Sequence, residues 1–278
     1  MSMTTQRVVL VTGCSTGGIG FHLCEQFADQ GCLVYATSRK LETMQGFRNE
    51  SIRKLAMDVT KDDDVLAVVK KILEEVGKID VLVNNAGALA IAPVAEATME
   101  QVQNAFNLNT FSVLRVSNTV LPSMIERKQG LIINIGSIAG LITTPWNSLY
   151  CAAKAALHSL SEAQGMECKP FGIKVMLVAP GGVKTNISKT HAAAFKLSPT
   201  SMYKDYEPKM VERMNASQNE NSITAADFAH QVVDKALSAN PPPYMTLGYN
   251  STRFALYQWL PRQYVLGNMY RALVQKAT

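Results

Sequence analysis

Short runs that are apolar at nearly every residue alternate with segments of helical period from residue 8 to residue 180. Val8-Val9-Leu10-Val11, Leu33-Val34-Tyr35-Ala36, Val81-Leu82-Val83, Leu131-Ile132-Ile133-Asn134-Ile135 and Lys174-Val175-Met176-Leu177-Val178 read as strands, with a shorter one at 53–57. Strands without polar alternation are covered on both faces, the condition of a parallel sheet between two layers of helices. Residues 62–76 place Val65, Val68, Val69, Ile72 and Leu73 on one helical face. Residues 149–169 are helical up to Pro170-Phe171-Gly172, and a long helix over 98–127 is expected to be interrupted or bent near Pro122. Right-handed crossovers leave few topologies for such a chain. The predicted fold is α/β: a single doubly wound, Rossmann-type domain over 1–278, with about seven parallel strands and its ligand site at their carboxyl ends.

Charged residues are 18 % and hydrophobic ones 47 % of 278, which suits a large core and argues against disorder. The net charge of +5 is scattered with no basic block, so no nucleic-acid partner is expected, while an anionic ligand is welcome. Cys14, Cys24, Cys32, Cys151 and Cys168 form no CxxC pair, and His22, His158, His191 and His230 lack ligand spacing. No metal site or disulfide framework is expected, and a reducing compartment is. Residues 1–7 are polar and run into a strand, which predicts no signal peptide, and no apolar run reaches membrane-spanning length. The expected location is the cytoplasm, free or peripheral on endoplasmic reticulum or lipid droplets.

Beyond Pro180 the alternation breaks. Residues 184–222 are polar, contain Pro199 and Pro208, and read as a substrate loop. A helix near 224–239 and a last strand at Tyr244-Met245-Thr246-Leu247 follow, then a C-terminal extension over 251–278.

The first strand runs into Thr12-Gly13-Cys14-Ser15-Thr16-Gly17-Gly18-Ile19-Gly20 and a helix. Glycines there allow a sharp turn and close approach to a pyrophosphate, which the helix N-terminus favours. The spacing is not GxGxxG, and a glycine cluster alone is also compatible with a plain tight turn. The second strand ends in Thr37-Ser38-Arg39-Lys40. An acidic residue at this place would bind a free ribose 2′-hydroxyl; Arg39 and Lys40 suit a 2′-phosphate, so the predicted cofactor is NADP(H) rather than NAD(H).

Tyr150 and Lys154 are four residues apart, on one face of a helix. A nearby ammonium stabilises a phenolate and makes the phenol a better acid, so Tyr150 is the candidate proton donor to an alkoxide. Ser137, just past the fifth strand, can donate to the same oxygen.

With the glycine turn, Asn84-Asn85-Ala86-Gly87, Asn109, Ser137, Tyr150-xxx-Lys154 and Pro180-Gly181, the chain resembles the short-chain dehydrogenases/reductases over residues 7 to about 250. The resemblance implies a water held by Asn109 in a proton relay and a nicotinamide ribose on Lys154. It implies cofactor contacts from Gly13, Ser15, Thr16, Gly18, Ile19 and Gly20 of the turn. Asp58 and Val59 would flank the adenine, Asn85, Ala86 and Gly87 would line the cofactor, and Pro180, Gly181, Val183 and Thr185 would lie at the nicotinamide. It also implies a homodimer or homotetramer. One departure stands out: the family's turn has three residues between its first glycines, whereas Cys14, Ser15, Thr16 and Gly17 make four before Gly18. The extra residue is expected to loop outward.

Within the family, residues 34–44, 169–175 and 181–187 resemble those of yeast-type 1-acyldihydroxyacetone-phosphate reductases. Hydroxysteroid and retinol dehydrogenases and ketoreductases of specialised metabolism share much of this. A lipid phosphate calls for an apolar trough, for which Leu141, Ile142, Trp146 and the methionine-containing loop are candidates, and a cationic end, for which Lys189, His191, Lys196 and Lys204 are. In the extension, Arg253, Arg262, Arg271 and Lys276 interleave with Phe254, Tyr257, Trp259, Tyr264 and Tyr270. That pattern suits a lipid surface, and equally a helix that closes the pocket or packs in an oligomer. The expected activity is NADPH-dependent reduction of a small-molecule ketone. Epimerisation or dehydration on the same scaffold and a non-catalytic nucleotide sensor are the competing readings.

Overall fold

The computed structural model describes residues 6–186 and 195–275. Seven strands form one parallel sheet: β1 (Val8–Thr12), β2 (Leu33–Ser38), β3 (Ile52–Ala56), β4 (Val81–Asn84), β5 (Gly130–Ile135), β6 (Ile173–Pro180) and, skipping two short strands, β9 (Tyr244–Leu247). Their spatial order is β3-β2-β1-β4-β5-β6-β9. The order reverses between β1 and β4, so the loops leaving these two strands diverge and open a crevice at their carboxyl ends.

The two faces of the sheet explain the uniformly apolar strands. Val9, Val11, Val34, Val83 and Ile133 point one way, onto Leu23 and Phe27 of α1 (Ile19–Asp29) and Phe228 and Val232 of the helix Ala225–Leu237. Val8, Leu10, Tyr35, Leu82 and Ile132 point the other way, onto Val65, Val68 and Ile72 of α2 (Asp62–Val76) and Val116 and Val120 of α4 (Ser112–Arg127). Local signals fix the ends of α2: Asp62, Asp63 and Asp64 complement the dipole of its first turn, and Gly77 closes it at φ 75°.

The expected bend near Pro122 is not where the long helix breaks. Pro122 lies inside α4. The break is a π-helical turn, Asn107–Phe111, between α3 (Met99–Phe106) and α4. It carries Asn109 and Thr110 inward, where Thr110 donates to the Ala153 carbonyl at 2.7 Å. A single wide turn of this kind has no compositional signature comparable to proline's, and such turns gather at functional sites.

Above the carboxyl edge, β7 (Val183–Lys184) and β8 (Ile223–Thr224) pair in parallel. The segment between them contains the helix Glu207–Met214, which buries Met210 and Met214. Trp146 holds that helix from below, its ring 5.4 Å from Tyr206 and 5.9 Å from Tyr203. The same indole donates to the Leu273 carbonyl at 2.9 Å. The extension folds as helices Ser251–Tyr257 and Arg262–Leu273, and Phe254, Val265 and Met269 pack with Ile142 in a third core.

Candidate active site

A cavity of about 650 Å³ opens where the strand order reverses. Its near end is the glycine turn. Gly13 and Gly17 both have φ 73°, a conformation side chains disfavour. The turn is pressed against the loop after β4: a Cβ on Gly13 would stand 2.8 Å from Ala86 Cα. Thr12 Oγ1 accepts from the Asn85 and Ala86 amides at 3.0 Å, and Asn85 Nδ2 donates to the Thr12 and Gly13 carbonyls. The extra residue does not swing free. Gly17 absorbs it in the left-handed region, and Thr16 is tied to the neighbouring segment, its hydroxyl 2.8 Å from the Gln45 carbonyl. Ser15, Thr16, Gly18 and Ile19 face the cavity.

Most of the residues singled out by sequence converge here: Gly13, Arg39, Val59, Asn85, Ala86, Gly87, Ser137, Tyr150, Lys154, Pro180, Gly181, Val183 and Thr185 all line the cavity. Gly20, Lys40, Asp58 and Asn109 lie off its wall. Gly20 packs instead, since a Cβ there would fall 2.6 Å from the Gly13 carbonyl. The Lys40 carbonyl accepts from the Thr43 hydroxyl. The Asp58 carboxylate accepts from the Thr60 amide and hydroxyl. The Asn109 amide is committed to backbone: Nδ2 donates to the carbonyls of Ala88 and Ala105, and Oδ1 accepts from the Ala88 amide. It positions the Gly87–Ala88 segment from behind rather than touching the cavity.

Ser137 caps a short turn, its hydroxyl accepting from the Ala139 amide at 3.1 Å. One helical turn separates Tyr150 from Lys154 on α5 (Ser148–Cys168). Lys154 is 3 % exposed and donates to the Ile135 carbonyl at 2.8 Å, with Nζ 5.8 Å from the centre of the Tyr150 ring. Burial brings its pKa down to about 8. Burial likewise pushes the Tyr150 phenol up, opposed by the Ser137 hydroxyl and the Arg213 charge. Arg213 is thus a second cation bearing on the phenol, beside Lys154, which is turned to a carbonyl and is itself desolvated. A phenol with a raised pKa stays protonated through neutral pH, the form a proton donor needs.

His158 lies beneath this group, accepting from the Ser137 amide through Nε2 at 3.3 Å. Burial and the neighbouring Lys154 push it down to about 4 from an ordinary 6.5. The unfolded chain thus binds the proton first. Stability is full above pH 6.5 and declines as pH falls toward 4, by roughly 3 kcal/mol in all. Thermal unfolding from pH 7 to 4 should show this decline, and His158→Gln should flatten it; an equal slope in the variant would contradict the assignment.

Arg213, Met214, Arg253, Phe254, Met269 and Leu273 line the far end of the cavity, and sequence reasoning assigned Arg213 no role. Its signal was present but faint: Pro208 opens a short helix whose Met210 and Met214 share a face. Leu141, Ile142 and Trp146 do not line the cavity; Ile142 and Trp146 are buried beneath the extension. Lys196 and Lys204 do not line it either, and Lys189, His191 and Lys276 lie outside the described residues. The extension thus closes the pocket with its inner face, while Trp259, 87 % exposed, and Tyr264 and Tyr270 face outward.

Residues 7–195 match the short chain dehydrogenase family. The chain belongs to that family. A short-chain dehydrogenase of Penicillium crustosum is 36 % identical over 235 residues, covering 84 % of this chain and 85 % of the relative. The NADPH-dependent 1-acyldihydroxyacetone phosphate reductase of Saccharomyces cerevisiae is 32 % identical over 245 residues, covering 85 % and 80 %. The crystal structure of a short-chain dehydrogenase from Streptomyces avermitilis superposes with a TM-score of 0.80 at 28 % identity, covering 96 % of each chain.

Proposed function

We propose that this member of the short-chain dehydrogenase family is an NADPH-dependent carbonyl reductase that works through Ser137, Tyr150 and Lys154 and takes a lipid ketone such as 1-acyldihydroxyacetone phosphate. The carrying observation is the convergence of these three side chains on one cavity wall whose other end is the glycine turn and Arg39. The cavity suits the cofactor. The missing Cβ of Gly13 lets the turn close onto Ala86 and bring its backbone to the cavity wall, and Arg39, which forms no ion pair among the described residues though its charge reaches Asp58, lines the cavity where a 2′-phosphate would lie. Thr16, Gly18, Ile19, Asn85, Val183 and Thr185 would hold the rest. Bound NADPH would supply the hydride.

The chain's own groups handle the oxygen. Ser137 and Tyr150 fix the carbonyl oxygen between two hydroxyls. As negative charge develops there, Tyr150 passes its phenolic proton to it. Lys154, held by the Ile135 carbonyl, keeps positive charge beneath the phenol and steadies the phenolate left behind. The similarity to the yeast reductase supports the lipid ketone. So does the apolar far wall of Met214, Phe254, Met269 and Leu273. The outward aromatics of the extension would then meet the lipid surface that supplies such a substrate.

NADPH consumption against acyldihydroxyacetone phosphate, steroid, retinal and polyketide-like ketones tests the reading. Turnover highest with the acyl ketone is expected. NADPH binding without turnover of any carbonyl would favour a sensor, and isomerised product without NADPH consumption would favour an epimerase.

A further inference from the structure

Among the described residues lining the cavity there is no carboxylate and there are four cations: Arg39, Lys154, Arg213 and Arg253. The reductase reading uses the first two. It gives Arg213 no ligand. Its Nε donates to Thr144 Oγ1 at 3.1 Å, and its remaining nitrogens have no hydrogen-bond or ion-pair partner among the described residues. Tyr150 and Cys151 lie within its electrostatic reach, and burial lowers its pKa. Its side chain is half-buried in the cavity wall, and a guanidinium drawn partly out of water without a carboxylate partner is costly and is kept where a ligand completes it. The surroundings also hold it in place. Met210 and Met214 anchor its helix, Trp146 braces Tyr206 at the helix start, and Thr144 is itself buried. Arg253, stacked 5.2 Å over Tyr257, adds a second cation on the same wall.

We propose that Arg213 is the binding site for an oxyanion of the substrate, a phosphate or carboxylate a few bonds from the reacting carbonyl. The inference rests on the carbonyl-reductase reading and sharpens it. Arg213 shares the cavity wall with Tyr150 and its charge reaches the phenol, which puts the anion close to the ketone and not at the end of a long acyl chain. The chain runs instead along Phe254, Met269 and Leu273. The selective element is the sign of charge: an amino ketone of equal size would bring an ammonium against an unscreened guanidinium.

The experiment compares kcat/KM for four ketones in the wild-type protein, Arg213→Gln and Arg213→Lys. The ketones are a long-chain acyldihydroxyacetone phosphate, the same molecule without phosphate, a long-chain 3-keto acid, and 3-ketodihydrosphingosine. Wild type should prefer the phosphate or the keto acid over the neutral ketone by about 100-fold, the scale of a charged hydrogen bond lost from a desolvated site. Which of the two anions gains identifies the group. Arg213→Gln should lower kcat/KM for the preferred anion about 100-fold more than for the neutral ketone, with NADPH affinity kept, and Arg213→Lys should keep part of the preference. Three results would overturn the proposal: a neutral or amino ketone preferred by wild type, an equal loss on the neutral ketone in Arg213→Gln, or a loss of NADPH affinity. If wild type reduces no ketone, the reductase reading fails by itself. The anion site is then read by thermal shift of the NADP-loaded protein with 1-acylglycerol 3-phosphate. A shift in wild type that is absent in Arg213→Gln upholds the site, and no shift in wild type sinks it.

Discussion

Tyr150→Phe should lower kcat/KM for ketone reduction by about 10³-fold while NADPH affinity stays nearly unchanged, since a positioned general acid contributes about 10²–10⁴. The substitution removes one oxygen and keeps the ring, whose face lies 5.8 Å from the Lys154 ammonium. Folding should therefore be little affected, and the loss should appear in kcat. Steady-state kinetics paired with an NADPH fluorescence titration checks this. A variant retaining a tenth of the wild-type rate would move the proton donor elsewhere. The pH profile adds a second constraint. Burial raises the Tyr150 pKa, so the acid form persists at neutral pH and reduction should hold steady there. Decline should set in on the alkaline side as protons leave the site, where Lys154 titrates near 8.

The second large effect concerns cofactor choice. Arg39→Asp should shift the ratio of NADPH to NADH use by about 10³-fold toward NADH, because it removes a phosphate partner, adds repulsion and installs an acceptor for a free 2′-hydroxyl. Arg39 lines the cavity where β2 ends, and Lys40 beside it does not. Lys40→Asp should therefore shift the ratio far less. Comparing kcat/KM for both cofactors in the two variants separates a specific contact from general positive potential. Equal shifts would mean that Arg39 has no contact of its own.

The sheet and the near half of the site were legible because each rests on local chemistry. A strand buried on both faces has to be apolar throughout, as β1 is with Val9 and Val11 on one core and Val8 and Leu10 on the other. Glycine 13 and Tyr150 with Lys154 are recognisable because turn geometry and helical spacing restrict which residues can stand there. What sequence missed depends on contacts between distant segments. Arg213 reaches the cavity from a helix that Trp146 braces at Tyr206, and nothing near residue 213 records residue 146. The π-turn carrying Asn109 was hidden for a related reason: Pro122, the obvious breaker, sits in an unbroken helix, and the wide turn is held by Ala88 and Ala153 from other elements. The role of the extension could not be read from its basic and aromatic pattern either. The inner residues Phe254 and Met269 close the pocket and the outer Trp259 stays exposed, a division that only packing decides.

The central claim is hydride transfer to a carbonyl whose oxygen is protonated by Tyr150. The ketone panel run with NADPH deuterated at the transferring position of the nicotinamide tests it most directly. One deuterium on the carbinol carbon of the alcohol, formed in step with NADPH loss and suppressed in Tyr150→Phe, is the predicted result. An alcohol without deuterium, or equal labelling rates in wild type and Tyr150→Phe, would contradict the account.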